Sequence, residues 1–236
     1  MRRFYVPPEN FFDNRIKLSL DESKHLREVL RLRVSDEVCV FDGEGNEFLS
    51  LVQEIGAKKE SSILRILQKI PPTSPESELD LTLGVALLKG EKFDLVVQKA
   101  VELGVTKLVP ISTKRGDAKN VRLDRWQKIG IEAAKQSGRA KLMQVSELIE
   151  FAEFIKTAEG AKILFSERNG KSFSAIKSDK KITAVIGAEG GWEDSEIDLA
   201  IKNDFQIITL KGRILRAETA AIALTAVLQN CFGDMN

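Results

Sequence analysis

The chain is poor in the residues on which several classes of protein depend. Of its 236 residues only two are cysteine, Cys39 and Cys231, one is histidine and one is tyrosine. The two cysteines lie far apart in different apolar patterns, which excludes a disulfide framework and a metal spacing. Both read as buried thiols of a reducing compartment, and no metal is expected. No run of eighteen apolar residues occurs, so no membrane-spanning helix is expected. The opening segment M-R-R-F-Y-V-P-P has neither an apolar core nor a cleavage pattern, so it does not read as a signal peptide, and a cytoplasmic location is the default. Excess charge is missing too: 36 basic residues meet 35 acidic ones, a net charge of +1. Bulk electrostatics therefore do not announce nucleic acid, and any RNA site must be a local patch. Neither G-x-G-x-x-G nor G-K-[ST] is present, which removes the usual dinucleotide and triphosphate loops and counts against a nucleotide-dependent oxidoreductase.

What remains is an ordinary globular composition, 43% hydrophobic and 30% charged, with length for one large or two small domains. Pro71 to Glu78 holds three of the six prolines and almost nothing to bury, so it reads as a linker between residues 1–70 and 79–236. Before it, D-E-V-C-V-F-D and N-E-F-L-S-L-V-Q flank a D-G-E-G turn, I-L-R-I-L-Q-K-I follows as another strand, and one helix is expected near Glu22 to Leu30. The pattern suggests a small β-barrel. After the linker, strands and helices alternate, the mark of an α/β fold with a parallel sheet. Phe93, Val96, Val97 and Ala100 form one helical stripe ending at Gly104; Leu123, Trp126, Ile129 and Ala133 form the next. The last helix, Ala217 to Phe232, is apolar nearly all round and should be buried on most sides.

Two glycine-bearing turns carry the chemistry. I-G-A-E-G-G-W, Ile186 to Trp192, and L-K-G-R-I-L-R-A-E-T-A, Leu210 to Ala220, each follow a short apolar strand and precede a helical pattern. Two adjacent strand ends with such loops make a ligand crevice at the carboxyl edge of an α/β sheet. Gly187, Gly190 and Gly191 are expected to reach positive φ and to let the main chain approach a ligand. Without a phosphate loop, a cofactor with adenine and ribose but no phosphate fits best, and S-adenosylmethionine is such a molecule. Glu193, Asp194 and Glu196 in the first turn of the following helix read as complements to its dipole.

With these motifs, and with R-R-F-Y-V (Arg2 to Val6), H-L-R-E-V-L-R-L (His25 to Leu32), F-D-G-E-G (Phe41 to Gly45), K-G-E-K-F-D-L-V-V-Q-K-A-V-E-L-G-V (Lys89 to Val105) and E-A-A-K-Q-S-G-R (Glu132 to Arg139), the chain resembles the RsmE family of 16S rRNA uridine-N3 methyltransferases, of the SPOUT class. It departs from the family pattern at Ala188, Trp192, Lys211–Gly212, Ala217 and the Thr113–Gly116 segment. The resemblance implies an N-terminal PUA-like RNA-binding β-barrel and a C-terminal SPOUT-type α/β domain whose last segment is threaded as a trefoil knot and used in a homodimer. It implies S-adenosylmethionine as cofactor and a uridine N3 of 16S rRNA, free or in the 30S subunit, as target. The cofactor residues it implies are Leu164, Glu167, Ile186, Gly187, Glu189, Gly190 and Gly191 at the first turn, and Leu210, Lys211, Gly212, Ile214, Leu215, Arg216, Glu218 and Thr219 at the second. A non-catalytic RNA-binding protein that keeps the fold is the alternative.

Methylation at N3 needs the proton removed and donors for the charge that spreads onto O2 and O4. Arg216 and Arg139 are the candidate catalytic donors. For Arg216 an ion pair with Glu218 or another acid weighs equally, and for Arg139 phosphate binding competes closely. Glu218 could accept the proton or cap the last helix; no general base is named. His25 lies in the N-terminal part and is rejected as a base. For RNA, Lys24, Arg27 and Arg31 lie at i, i+3 and i+7 of one helix and so share a face opposite Leu26, Val29 and Leu30, Lys114, Arg115, Lys119 and Arg122 crowd a loop, and Arg2 and Arg3 adjoin Phe4 and Tyr5, charge beside stacking surface.

Overall fold

The computed structural model describes residues 2–116, 121–168, 170–177, 180–210 and 212–235. Lys119 and Lys211 therefore lie outside the described residues. The chain forms two compact units: 1–75 with 134–142, and 76–133 with 143–236. The expected C-terminal part thus loses a segment, because Ala134 to Leu142, with Arg139 in it, packs with the first unit.

The first unit is built on strands β1 (Arg3–Tyr5), β2 (Phe11–Phe12), β3 (Arg15–Lys17), β4 (Glu37–Phe41), β5 (Glu47–Glu54) and β6 (Ile63–Ile70), with the short helix α1 (Leu20–Lys24) between β3 and β4. They make one mixed sheet in the order β1-β4-β5-β6-β3-β2, a half-barrel that answers to the expected small β-barrel, with its end strands β1 and β2 unpaired to each other among the described residues. Only β1 and β4 run parallel. Alternation along the strands sends Phe4, Ile16, Val38, Val40, Val52 and Leu64 inward. α1 starts where the Ser19 hydroxyl accepts the Glu22 amide at 3.1 Å. It then passes into a π-helical turn, His25–Val29, and Arg31 has φ +53°. Lys24, Arg27 and Arg31 consequently do not share a regular α-helical face.

A buried ionic cluster organises this unit. Glu47 is fully buried and accepts Arg3 at 2.7 Å, the Cys39 thiol at 2.6 Å, and the Thr73 amide and hydroxyl at 2.8 and 2.6 Å. Arg3 also donates to the Arg139 carbonyl at 3.0 Å and lies 5.0 Å over the Phe41 ring. Burial pushes the Glu47 carboxyl up, but its hydrogen bonds from Cys39 and Thr73 and the Arg3 charge outweigh this and hold it below the usual range. Burial first, then the bond to Glu47, push the Cys39 thiol up to about 12.

The second unit carries strands β7 (Asp80–Ala86), β8 (Lys107–Ser112), β9 (Gln144–Val145), β10 (Ile149–Glu150), β11 (Ala161–Phe165), β12 (Lys181–Ile186) and β13 (Gln206–Ile208). Its helices are α2 (Lys92–Glu102), α3 (Leu123–Ser137, whose last residues belong to the first unit), α4 (Phe151–Phe154), α5 (Asp194–Lys202) and α6 (Ala217–Phe232). The sheet is parallel throughout, in the order β10-β8-β7-β12-β11-β13, with β9 beside β8. α2 ends as expected, with Gly104 at φ +73° just beyond it. The Trp126 stripe of α3 is anchored where its indole donates to the buried Asp94 of α2 at 3.1 Å. α6 packs on α2 and β12 through Ala221, Leu224, Thr225 and Leu228. Its opposite face, Ile222, Ala223, Ala226 and Val227, is only half-buried, so the helix is less covered within the chain than its composition predicts.

Candidate functional site

The two motif strands, β12 and β13, are not neighbours: β11 runs between them, paired with both. All three are parallel, so their carboxyl ends open on the same edge, and the loops after β12 and β13 stand either side of a gap floored by the end of β11. That gap is a cleft of about 590 Å³. Among the residues named from sequence, Glu167, Ile186, Gly187, Glu189, Gly190, Gly191, Leu210, Gly212, Ile214, Leu215 and Arg216 line it. Phe165, Ser166, Ala188, Trp192, Ile208 and Lys92 line it too and were missed. Lys92 comes from the start of α2, some ninety positions away in sequence, where only a three-dimensional fold brings it in.

Four sequence assignments do not reach the cleft. Leu164 is fully buried in the core with Val185 and Trp192, because alternate residues of a strand face opposite ways; its neighbour Phe165 has the lining role. Glu218 and Thr219 sit in the first turn of α6 outside the lining, which that helix supplies through Ala217, Ala220 and Leu224 at helical spacing. Arg139 is 5% exposed, belongs to the first unit and does not line the cleft.

The first turn is shaped by three glycines with different duties. Only Gly191 has positive φ, +69°, and a Cβ there would meet Glu167 Oε1 at 3.0 Å. At Gly187 a Cβ would lie 2.9 Å from the Trp192 ring, which is pinned by its indole N–H donating to the Phe165 carbonyl at 2.8 Å. At Gly190, expected to need positive φ, a Cβ would meet only the Arg115 side chain at 3.0 Å. Helix α5 then starts with a capping box between Glu193 and Glu196. Glu196 also accepts the Lys114 amide at 3.0 Å, so the acidic residues here serve the helix terminus. Arg115, assigned to RNA, donates to the Gly190 carbonyl at 2.8 Å and pairs with Glu193 at 2.7 Å, clamping the turn.

The electrostatics at the rim come from Lys92, Glu189 and Arg216. Lys92 pairs with Glu189 at 2.8 Å. The hydrogen bond to Glu189 raises the Lys92 ammonium above its ordinary value. Burial pushes Glu189 up, but the Lys92 bond and charge and its backbone hydrogen bonds hold it low. Arg216 is the exposed N-cap residue of α6 and makes no ion pair among the described residues, so the pairing with Glu218 is not formed. Glu218 does not cap the helix either: its Oε2 is buried without a hydrogen-bond partner.

The other basic residues named for RNA divide by burial. Arg3 is committed to the Glu47 cluster, with its side chain 8% exposed, and is not a surface group. Arg27 donates to the Gly56 and Ala57 carbonyls at 2.7 and 3.0 Å and pairs with Glu28. Arg2, Lys24, Arg31 and Arg122 are exposed. His25 packs edge-on to Phe4. Cys231 is exposed, contrary to the expectation of two buried thiols, because it falls on the open end of α6. Among the described residues no group of histidine, cysteine, aspartate or glutamate is placed to hold a metal, and no helix is long and apolar enough to cross a membrane.

Comparison with known proteins accords with this geometry. Residues 75–229 match the family model of an RNA methyltransferase domain, and residues 19–64 match that of an RNA methyltransferase PUA domain. Relatives named ribosomal RNA small subunit methyltransferase E include one from Rickettsia conorii, 32% identical over 96% of this chain and 93% of its own, and one from Mesomycoplasma hyopneumoniae, 34% identical over 99% and 100%. Among solved structures, a ribosomal RNA small subunit methyltransferase E from Neisseria gonorrhoeae bound to S-adenosylmethionine is 33% identical, covers all of both chains and superposes with a TM-score of 0.92. A Legionella pneumophila chain solved with the cofactor bound is 30% identical over 99% and 98%, with a TM-score of 0.91. A half-barrel followed by a parallel sheet with a glycine-rimmed cleft, matched over nearly the whole chain at this identity, places the protein in the ribosomal RNA small subunit methyltransferase E family.

Proposed function

We propose that the protein is an S-adenosylmethionine-dependent methyltransferase of 16S ribosomal RNA, acting on N3 of a uridine. The observation that carries this reading is the cleft after β11, β12 and β13. It is lined by main chain at Gly187–Gly191 and by apolar side chains at Ile186, Ile208, Leu210, Leu215 and Leu224, with carboxylates at Glu167 and Glu189. Flat apolar walls suit an adenine and a carboxylate suits ribose hydroxyls. The group fits the residues present. Bound there, S-adenosylmethionine supplies an electrophilic methyl group on a sulfonium.

The chain's own residues do the rest. The loops at 187–191 and 212–215 hold and orient the cofactor, and much of the acceleration comes from that positioning. Arg216, unpaired at the rim, donates to O2 or O4 of the uracil as negative charge develops there. The N3 proton leaves to solvent. Lys24, Arg31, Arg122 and Arg2 are proposed RNA contacts; Arg139 is kept as a phosphate or base contact without a place in the cleft. The partners are 16S rRNA or the 30S subunit and a second copy of the chain, in the cytoplasm, with α6 threaded as a trefoil knot and its half-buried face at the dimer contact. Incubation with radiolabelled S-adenosylmethionine and either naked 16S rRNA or 30S particles, followed by mapping of the modified base, tests the reading. 3-Methyluridine at one position is expected. Label elsewhere than at uridine N3, or no transfer to either RNA, overturns it.

A further inference from the structure

The first unit has an outward row of side chains that neither the cofactor cleft nor the basic residues above use. Phe12 of β2 stands directly opposite Arg15 of β3, and Arg15 stands directly opposite Arg65 of β6. Facing residues on paired strands project from the same side of a sheet, so the three form one line across three strands. The row behind them is the inner one: Phe11 opposes Ile16, which opposes Leu64, and these pack in the core. Phe12 is 41% exposed, and Arg15, Lys17 and Arg65 are exposed. Lys17 follows Arg15 on the same face, two positions along β3.

Like charges directly opposite each other on paired strands destabilise a sheet. Arg15 and Arg65 are such a pair, and neither they nor Lys17 has an ion pair or side-chain hydrogen bond among the described residues. The carboxylates in the neighbourhood do not relieve them. Asp13 sits in the β2–β3 turn, while Glu37 and Glu54 lie beyond the intervening Leu51 and Ile63. A short edge strand ending in an exposed phenylalanine beside three cations without ion pairs presents a ring and positive charge together, and an anionic chain with flat rings complements both while relieving the Arg15–Arg65 opposition.

We propose that this face, Phe12, Arg15, Lys17 and Arg65, docks a single-stranded segment of the substrate RNA, with phosphates on the three cations and a base stacked on Phe12. The inference rests on the reading of the protein as an RNA methyltransferase and adds to it a specific surface. Strand spacing near 4.8 Å puts Phe12 and Arg65 about 10 Å apart, within the reach of two nucleotides. Aromatic stacking and phosphate pairing are the two elements of sequence-tolerant single-strand binding.

The test uses the full chain, with binding of a mixed-sequence single-stranded RNA followed by fluorescence anisotropy over a range of salt. In Arg15→Gln/Arg65→Gln, affinity is expected to fall and the slope of log affinity against log salt to flatten by roughly 0.7 per lost contact. Melting temperature should hold or rise, since the like-charge opposition is removed, and calorimetric affinity for S-adenosylmethionine should stay at the wild-type value. Phe12→Ala should lose about tenfold in affinity with its salt slope unchanged. A double variant that binds RNA with wild-type affinity and slope overturns the proposal while the methyltransferase reading stands. A double variant that loses binding to polyglutamate but not to RNA overturns it in favour of an acidic protein partner. A wild-type chain that neither binds nor methylates RNA overturns the parent reading, and this surface with it.

Discussion

At the scale of single residues, the cleft depends on the absence of a side chain at two of its three turn glycines. Gly191 is the one that needs left-handed backbone, and Gly187 is the one that yields room to a pinned indole. Strain or overpacking at such points costs about 1–3 kcal/mol. Gly187→Ala and Gly191→Ala should each weaken S-adenosylmethionine binding at least tenfold by calorimetry, whereas Gly190→Ala, which meets only the flexible Arg115, should stay within a few-fold. Equal losses at all three would refute this division. The thiols differ in the same local way. Native protein should show one thiol that reacts rapidly with a thiol-specific reagent, the exposed Cys231, and release Cys39 only on unfolding; two fast thiols would mean that Cys39 is accessible. The Cys39 thiol is raised from 9.0 in the ordinary state to about 12 in the folded one. Its neutral form is therefore favoured by folding. That stability is fully present below pH 9 and is lost as pH rises toward 12. Denaturant melts at successive pH values in this range should fall less steeply for Cys39→Val than for the wild type.

At the scale of elements, caps and stripes decide positions. Glu196 is 4% exposed and holds both the Glu193 amide, at 2.9 Å, and the Lys114 amide. Removing it leaves the Glu193 amide at the start of α5 and the Lys114 amide of the Thr113–Gly116 loop without their acceptor, while Arg115 still ties that loop to the glycine turn. Glu196→Ala should cost about 1–3 kcal/mol in urea unfolding with an unchanged m-value. A loss under 0.5 kcal/mol would show that water replaces the carboxylate at no cost. The helix near Glu22 to Leu30 was legible as an element, but its passage into a π-helical turn was not. No residue in H-L-R-E-V announces an extra residue per turn, and the choice is made by seating Leu26 and Leu32 in the half-barrel core.

At the scale of the whole molecule, the second face of α6 is incompletely covered by its own chain. Ile222, Ala223, Ala226 and Val227 are half-buried in a helix that is apolar on both sides. A second copy of the chain is the proposed cover. Light scattering of the full chain should give a dimer, and Ala226→Arg should give a monomer that keeps its circular dichroism. A wild-type monomer at micromolar concentration would reject that interface.

The amino-acid order by itself determined the alternation of strands and helices after Glu78, the half-exposed strand pattern before Pro71, and the two glycine turns. These are local properties, written in periods of two and 3.6 and in residues that tolerate unusual backbone. What the tertiary structure decided is non-local. It inserted β11 between the two motif strands and so brought Phe165 and Ser166 into the cleft. It carried Lys92 to Glu189, moved the Arg139 segment into the first unit, and turned Arg3 inward to Glu47. Each of these depends on pairing and burial between segments tens of residues or more apart, where charge and exposure follow from which neighbours arrive and not from the residue's own chemistry.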